Sequence, residues 1–557
     1  MERIVIATRS MDERLYSLSG ELAELPFPRV RLTGTAADNY FYHFNEIDAD
    51  WIINFDEDAF IIDPTAVLDL LHYMQDNAYD CCGVPDGGVI SHRFHNPISP
   101  NPYFSIHNNR RIKERFNLAE IEQSRFGEDL MPFVPQHLLK ADHKFAYDDF
   151  EPYYKYFFWL LRSGFRFLYL NADNWVRDPI STLTFNHEGR QMLLHCWYAR
   201  DYDNQKWRFH HAINYCRAYK RQAAGEPNTG EPLITMAVGA TRQSTKLRQA
   251  VAAALAQEAD CSYEVLVIDG LAEGETSASL TGLEDSRLRI IPAGVPKDQA
   301  SLKNLALAEM QGDFILWLGE EGELQPKTLA SHLAFLKANP DVDVIYGNLL
   351  CAEVGTSALR EVTYQPLSPL SIPHYLLLGR PFPFSGTLIR KSLFSKIGNF
   401  DPQVAGAHDL DFWVRAALNE SAFGYNHEAF CKVPPNSAEL ASTGVNRESG
   451  QVIEKIIDAF PLRSLFYMFN WEHDPQGAET RAWLMIAMAF CRYQLYEKAL
   501  QYIARSQSLT PSPEALILRG LIFKKNGLYQ EAAELFSQVL LSSNPHLQSL
   551  QRIGNLL

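Results

Sequence analysis

Three acids stand together at Asp56, Glu57 and Asp58, directly after the apolar run Trp51-Ile-Ile-Asn-Phe55. An apolar run cut off by acids reads as a buried strand that delivers carboxylates to the carboxyl edge of an α/β sheet, where ligands bind. Carboxylates in that place suit a divalent cation, and a cation that bridges two phosphates stabilises a departing diphosphate. Asp58 is the first choice of metal ligand. Asp56 would touch a donor ribose or bridge to the ion through water. Side chains alternate along a strand, so Glu57 should point away from them. A second acidic group, Asp148, Asp149 and Glu151, precedes an aromatic helix and ends in Ser163-Gly164. A carboxylate there can take a proton from an attacking hydroxyl, although acids also gather at helix N-termini for reasons of the dipole alone.

The elements that must position these residues fall into three blocks. The chain has 557 residues, too many for one core. Residues 1–222 alternate short apolar runs with amphipathic segments, with strands expected at Arg3–Ala7, Val30–Leu32, Trp51–Phe55 and Arg166–Leu170. A stretch dense in turn formers, Gly225 to Pro232, separates them from residues 231–440. There the same plan restarts: strands at Leu233–Val238, Glu264–Ile268 and Asp313–Leu318, and a helix over Thr245–Gln257. Alternating strands and helices imply a parallel sheet with right-handed crossovers.

Residues 445–557 read as helical, and their last part repeats. Trp483, Ala487, Phe490, Tyr496, Ala499 and Ile503 return 33 positions later as Leu516, Gly520, Phe523, Tyr529, Ala532 and Phe536. Large, small and aromatic residues at these offsets resemble tetratricopeptide repeats, in which small residues let paired helices approach closely. The resemblance implies a surface for a protein partner.

Composition narrows the function. The formal net charge is −16, which argues against a nucleic-acid partner. It leaves room for a diphosphate neutralised locally by a cation. The eight cysteines form no C-x-x-C pair and suit buried thiols in a reducing compartment. The most apolar stretch, Tyr156–Leu170, contains Arg162 and Arg166 and is too short to span a bilayer. No signal-peptide pattern opens the chain, and a cytoplasmic location is expected.

The second block resembles a family 2 glycosyltransferase with the GT-A fold over almost its whole length. The resemblance rests on the strand and loop Val238-Gly-Ala-Thr-Arg242, the strand end Val265-Leu-Val-Ile-Asp269-Gly270, Leu302-Lys-Asn304 and Gly312-Asp-Phe-Ile-Leu-Trp-Leu318. It extends to Ala407-His-Asp409-Leu-Asp411. It implies that Asp269 contacts the base of a nucleotide-sugar and that Asp409 is a general base. Where the family has Asp-x-Asp, this chain reads Gly319-Glu320-Glu321. Where the family has a late histidine, it reads Val433-Pro434. The second block is thus expected to keep the scaffold, with Asp269, Asp409 and a lengthened Glu321, and to have lost two of the expected metal contacts.

The first block is similar to the same plan, more loosely. The likeness implies a donor-binding loop at Thr8-Arg9, metal contacts from Asp58, Asp56 and His195, and a phosphate contact from Arg200. It makes Asp149 the catalytic base, with Asp148 in reserve. His187 is a second choice after His195, which the short apolar strand Met192–Leu194 presents. Residues 83–95 would form acceptor-side loops and Pro97–Pro102 a flexible lid. The expected protein is therefore an α/β chain of two GT-A domains followed by helical repeats. It would use Mn²⁺ or Mg²⁺ to transfer a sugar, with inversion, from a nucleoside-diphosphate sugar to a glycan, lipid-linked or protein acceptor. Two other readings compete. A sugar nucleotidyltransferase would need a Gly-rich loop after the first strand, and Ala7-Thr-Arg-Ser-Met11 has no glycine. A non-catalytic scaffold of decayed transferase folds fits Gly319–Gly322 better than it fits the first block.

Overall fold

The computed structural model describes residues 2–33, 40–223, 233–241, 245–271, 275–294, 298–352, 358–379, 382–404, 406–435 and 447–541. The stretch Gly225–Pro232, Arg242 and Asn436–Ser437 lie outside them. Two compact units emerge, Met1–Pro227 and Asn228–Leu557.

Among its described residues the first unit holds ten strands: β1 (Ile4–Arg9), β2 (Arg29–Leu32), β3 (Trp51–Phe55), β4 (Ala59–Ile61), β5 (Cys81–Pro85), β6 (Pro100–Asn108), β7 (Phe167–Tyr169), β8 (Ala172–Trp175), β9 (Asp178–Phe185) and β10 (Gln191–His195). Its main sheet runs β2-β1-β3-β6-β5-β7. β1 is parallel to β2 and β3, β7 is parallel to β5, and β6 runs antiparallel between β3 and β5. Every residue of β3 is buried, which is why the strand reads as an unbroken apolar run rather than an alternation. A smaller antiparallel sheet, β4-β10-β9-β8, begins directly after the acids. The turn that carries Asp56–Asp58 therefore joins two sheets. Asp12 and Asp63 cap the helices Glu13–Ala23 and Pro64–Asp76, each accepting two backbone N–H groups.

The second unit holds β11 (Ile234–Ala240), β12 (Tyr263–Asp269), β13 (Leu288–Pro292), β14 (Phe314–Leu318), β15 (Glu323–Leu324), β16 (Val344–Ala352), β17 (Leu359–Val362), β18 (Leu388–Arg390) and β19 (Phe423–Val433). The order is β13-β12-β11-β14-β18-β16-β19-β15, with β17 on β16. The plan matches that of the first unit. A parallel group ends on the strand before the Gly319 turn, an antiparallel strand follows, and a parallel pair lies beyond it. The second unit has one more edge strand, β13. Its helices from residue 447 onward pack into the same unit: His374 Nδ1 meets the Leu465 carbonyl at 3.0 Å, and Lys455 meets Asp411 at 2.8 Å.

The expected strands are present with shifts of one to two residues at their ends. The helical repeat region forms Pro475–Arg492, Tyr496–Leu509, Pro513–Lys525 and Tyr529–Leu541. Gly520 lies where an added Cβ would come within 2.7 Å of the Phe536 ring, so a small residue is required at that crossing. Two expectations fail. The main sheets are mixed and not wholly parallel, since β6 and β18 each run antiparallel to both neighbours. Pro97–Pro102 is not a lid: Ile98 and Ser99 are fully buried, and β6 starts at Pro100. The prolines there sit at the start of a strand, where a missing N–H costs little.

Candidate metal and donor site

β3 and β10 bring the acidic triplet and His195 together. His195 pairs with Ala59 across the small sheet, so its ring reaches back over the turn. His195 Nε2 lies 3.1 Å from Asp58 Oδ1. Ligand atoms of Asp56, Asp58 and His195 all lie within 4.8 Å of one another, and all three residues are buried. That spacing is near the span across one ion with bonds of about 2.1 Å. Asp56 Oδ1 and His195 Nδ1 are buried without a hydrogen-bond partner. An orphaned carboxylate oxygen such as Asp56 Oδ1 in a buried site is what a bound ion would satisfy. Two carboxylates and one imidazole suit Mn²⁺, which takes hard oxygen with nitrogen. The residues fit the group.

Electrostatics at the turn are uneven. Burial raises the Asp56 carboxyl, and neighbouring Asp58 adds to the effect, against the pull of Arg9. Burial would raise Asp58 as well, but the charge and hydrogen bond of His195, with help from Arg9, hold it below the ordinary carboxylate range. Arg9 Nη2 donates to Asp56 Oδ2 at 2.5 Å. Glu57 points away from the other two acids, as strand alternation requires. Its Oε2 accepts from Ser10 Oγ and the Met11 and Asp12 amides at 2.7, 3.0 and 2.7 Å, and so pins the loop after β1.

His195 is clamped between aromatic rings, stacked on Tyr103 at 4.3 Å and tilted on Trp197 at 4.3 Å. Trp197 and Tyr198 are consecutive non-glycine residues in the left-handed region, at φ 58° and 62°. Backbone strain of that kind gathers at ligand sites. Arg200 follows, exposed, in the short turn Ala199–Asp201. His187 lies elsewhere, stacked on Tyr73 at 4.0 Å. Thr8 is fully buried, and its hydroxyl accepts from Arg29 at 2.9 Å. It braces the end of β1, and its hydroxyl is already engaged by Arg29.

The second acidic group sits upstream of its helix, which starts at Tyr154. Arg93 links it to Trp197, the ring beside His195. Arg93 holds Asp86 through two bonds of 2.7 Å and Glu151 at 3.0 Å, and its guanidinium lies 5.5 Å from the Trp197 ring centre. Asp148 pairs with His95 at 3.1 Å. Asp149 is exposed, and one of its oxygens accepts from the Phe126 amide at 2.7 Å. Asp86 is fully buried and also accepts from Asn101, Tyr153 and Tyr154. Sequence reasoning placed Asp86 only in a loop. The usable signal was its position directly after β5, a second acid at the end of a buried strand. His92 was also missed. It packs edge-on to Trp197 at 5.1 Å, and it is pushed down to about 4 by burial, with the charges of His195 and Arg93 adding.

Sheet register gives the residues around the Asp56–Asp58 turn counterparts in the second unit. Register runs from Ala7 and Asn54 on β1 and β3, and from Val238 and Leu318 on β11 and β14. Continued to the strand ends, it pairs Arg9 with Asp56 and Gly239 with Gly319. Glu320 then matches Glu57 and does the same work: its Oε2 accepts from the Thr241 amide at 2.7 Å. Glu321 takes the place of Asp58. Register of β15 on β19, continued one residue, sets Val433 in the place of His195, one position before the proline expected there. Asp269 is tied to the Leu271 amide at 3.1 Å and to the Thr276 hydroxyl. Asp409 is held by Lys303 at 2.6 Å and His408 at 2.9 Å.

Residues 238–398 match the family model of Glycosyl transferase family 2. An uncharacterized glycosyltransferase of Rickettsia typhi is 25% identical over 224 residues, covering 40% of this chain and 69% of that protein. An O-antigen biosynthesis protein of Myxococcus xanthus is 25% identical over 222 residues, covering 39% of this chain and 17% of that protein. Among solved structures, S. aureus TarS 1–349 in complex with UDP aligns over 55% of this chain and 91% of its own, with 16% identity and a TM-score of 0.37. A mannosyltransferase from Pyrobaculum calidifontis, in complex with GDP-Man and Mn²⁺, aligns over 61% and 99%, with 15% identity and a TM-score of 0.29. The chain thus carries a glycosyl transferase family 2 domain, and by enzyme class it is a glycosyltransferase. Among the described residues, no helix is long and apolar enough to cross a membrane.

Proposed function

We propose that the first unit performs metal-dependent glycosyl transfer from a nucleoside-diphosphate sugar, and that both units are GT-A domains, only the first of them equipped for metal. The observation that carries this reading is the convergence of Asp56, Asp58 and His195 in one buried cluster with orphaned ligand atoms. The second unit offers Gly319, Glu321 and Val433 in the same three places.

Asp58, Asp56 and His195 would hold the ion. Mn²⁺ or Mg²⁺ bound there supplies positive charge for the departing nucleoside diphosphate. Arg9 and Arg200 are the phosphate contacts contributed by the chain. Tyr103 and Trp197 fix the His195 ring, and Glu57 fixes the loop that faces the donor. Asp149 receives the proton of the acceptor hydroxyl in an inverting attack, and Asp148, oriented by His95, is the reserve base. Arg93 keeps the acid-bearing segment beside Trp197. In the second unit, Asp269 would meet the base of a nucleotide. Asp409 is a poor candidate for a free base there while Lys303 and His408 hold its carboxylate. The helical repeats offer a surface for a protein partner, and a cytoplasmic location suits the buried free thiols. The acceptor is a glycan, a lipid-linked glycan or a protein.

The test is donor hydrolysis and transfer by the full chain, with a panel of nucleotide sugars and Mn²⁺. Metal-dependent turnover that Asp58→Ala abolishes supports the proposal. Turnover that persists in Asp58→Ala sinks it. A specific observation favours a second reading for the second unit alone: Gly319 and Val433 stand where Asp56 and His195 offer ligand atoms in the first, which fits a binding or scaffolding role.

A further inference from the structure

Arg9 stands where a metal site has no obvious use for a cation. Its guanidinium occupies Asp56 Oδ2 at 2.5 Å, while Asp56 Oδ1 is buried without a hydrogen-bond partner. Two buried carboxylates two residues apart repel each other unless a positive group stands between them or beside them. Arg9 supplies that charge. Its side chain is 28% exposed against 9% for Asp56, so Arg9 is the more accessible member of the pair.

The second unit tells what Arg9 is for. Its sheet register sets Gly239 in the place of Arg9 and Gly319 in the place of Asp56. Both members of the ion pair are missing together. The neighbouring acid, Glu57 in one unit and Glu320 in the other, is kept and pins the same loop in both. The loop therefore does not need Arg9 to hold its shape. Arg9 goes with the metal-site acid.

Resting on the reading of Asp56, Asp58 and His195 as a divalent-cation site, we infer that Arg9 is a resident counter-ion that a metal must displace from Asp56, and that the displaced guanidinium becomes a donor to the diphosphate. A guanidinium forks onto two phosphate oxygens in a way an ammonium does not. The exchange makes metal and nucleotide binding mutually dependent. The linkage is reciprocal: whatever factor the nucleotide adds to metal affinity, the metal adds to nucleotide affinity.

The inference has a sign that a merely structural arginine would not give. Mn²⁺ binding to the full chain is followed by the paramagnetic resonance of free Mn²⁺, with no nucleotide and then with saturating UDP or GDP as the probe. Arg9→Gln removes the competing charge, so it binds Mn²⁺ alone more tightly than wild type, by roughly fivefold to tenfold. The same variant loses part of the coupling, so that the nucleotide improves its Mn²⁺ affinity by about tenfold less than in wild type. Arg9→Lys keeps the charge without the fork. It binds Mn²⁺ alone like wild type and binds the nucleoside diphosphate more weakly. If Arg9→Gln fails to fold, Arg9→Lys still carries the test through its nucleotide affinity. Mn²⁺ binding by Arg9→Gln that is unchanged or weaker overturns the inference and leaves the metal site standing. Absence of Mn²⁺ binding by the wild type overturns both.

Discussion

The two turns that follow β3 and β14 are built on one frame and hold different chemistry. Both end a fully buried strand. Both present a middle glutamate that accepts backbone N–H from the loop after the first strand of the sheet. On either side of that glutamate they part. The first turn carries Asp56 and Asp58, with Arg9 and His195 brought in from β1 and β10. The second carries Gly319 and Glu321, with Gly239 and Val433 in the matching registers. The contrast separates what the fold needs from what a ligand needs. The glutamate that ties the loop is present in both. The four groups that could meet a metal or a diphosphate change as a set.

The sharpest way to break that comparison is to remove one acid from each turn. Asp58→Ala takes a ligand from the cluster and should lower Mn²⁺-dependent turnover of the full chain by at least about 10³-fold, the scale of losing a preorganised electrostatic group. Glu321→Ala should leave turnover within about twofold, the usual effect of a change outside the reacting centre. Equal losses in the two variants would mean that the second unit shares the chemistry. A smaller effect is expected at the acid group. Asp149→Asn should reduce transfer about 10²–10³-fold while donor affinity stays within about twofold, because a general base acts on the acceptor proton and not on the donor. If Asp148→Asn gives the larger loss, the base is Asp148 with His95 behind it.

The next contrast is between the exposed Asp149 and Asp409, which is held by two cationic partners. Asp409 is bonded to Lys303 and His408, and Lys303 Nζ lies 3.5 Å from the centre of the Phe384 ring. Burial works against the Asp409 carboxylate, but Lys303 and His408 hold it well below the usual range. A carboxyl group lowered on folding adds stability at pH above its unfolded value near 3.8 and loses it as pH falls through that region. Asp409→Asn should therefore destabilise the second unit by about 3 kcal/mol at neutral pH, since it strands Lys303 among aromatic rings. Its unfolding temperature should also respond less than that of wild type to acidification below about pH 4. Thermal unfolding of both proteins across that range checks the sign. Equal acid sensitivity would show that Asp409 is not the group that titrates.

Much of the frame was legible in the residues because it is written in short-range patterns. β3 was foreseen to the residue, since an apolar run ended by three acids has few other meanings. Glu57 was expected to point away by alternation, and it does. His195 was preferred over His187 because an apolar strand delivers it, and the two lie apart, one beside Asp58 and the other against Tyr73. What escaped depends on partners distant in sequence. Asp86 gains its meaning from Arg93, Asn101, Tyr153 and Tyr154, spread over 68 positions. Thr8 reads as a loop residue in the sequence, yet it lies within β1 with its hydroxyl held by Arg29. Pro97–Pro102 looked like a lid because prolines mark loops, yet burial of Ile98 and Ser99 makes it the approach to β6. The small antiparallel sheet was unforeseen apart from β10, since β4 is three residues long and finds its partner more than 130 positions away.

The smallest expected effect is also the most direct test of equivalence between the two turns. A Cβ at Gly319 would have Ser385 Oγ at 3.7 Å as its nearest neighbour, so the position admits a side chain. In a chain already carrying Asp58→Ala, Gly319→Asp alone adds a carboxylate beside Glu321 but no nitrogen ligand, and Mn²⁺ binding should stay undetectable. Adding Val433→His supplies the third group in the register that His195 occupies, and weak binding with a Kd of about 1 mM should appear, roughly −4 kcal/mol. Affinity stays low for two reasons: Glu321 is longer than Asp58, and the aromatic clamp that Tyr103 and Trp197 place on His195 is missing from the graft. Binding with Gly319→Asp alone would make the histidine dispensable in both turns. No binding with the double graft would mean that shared register does not carry shared side-chain geometry, and that the clamp, more than the ligand types, makes the first turn a metal site.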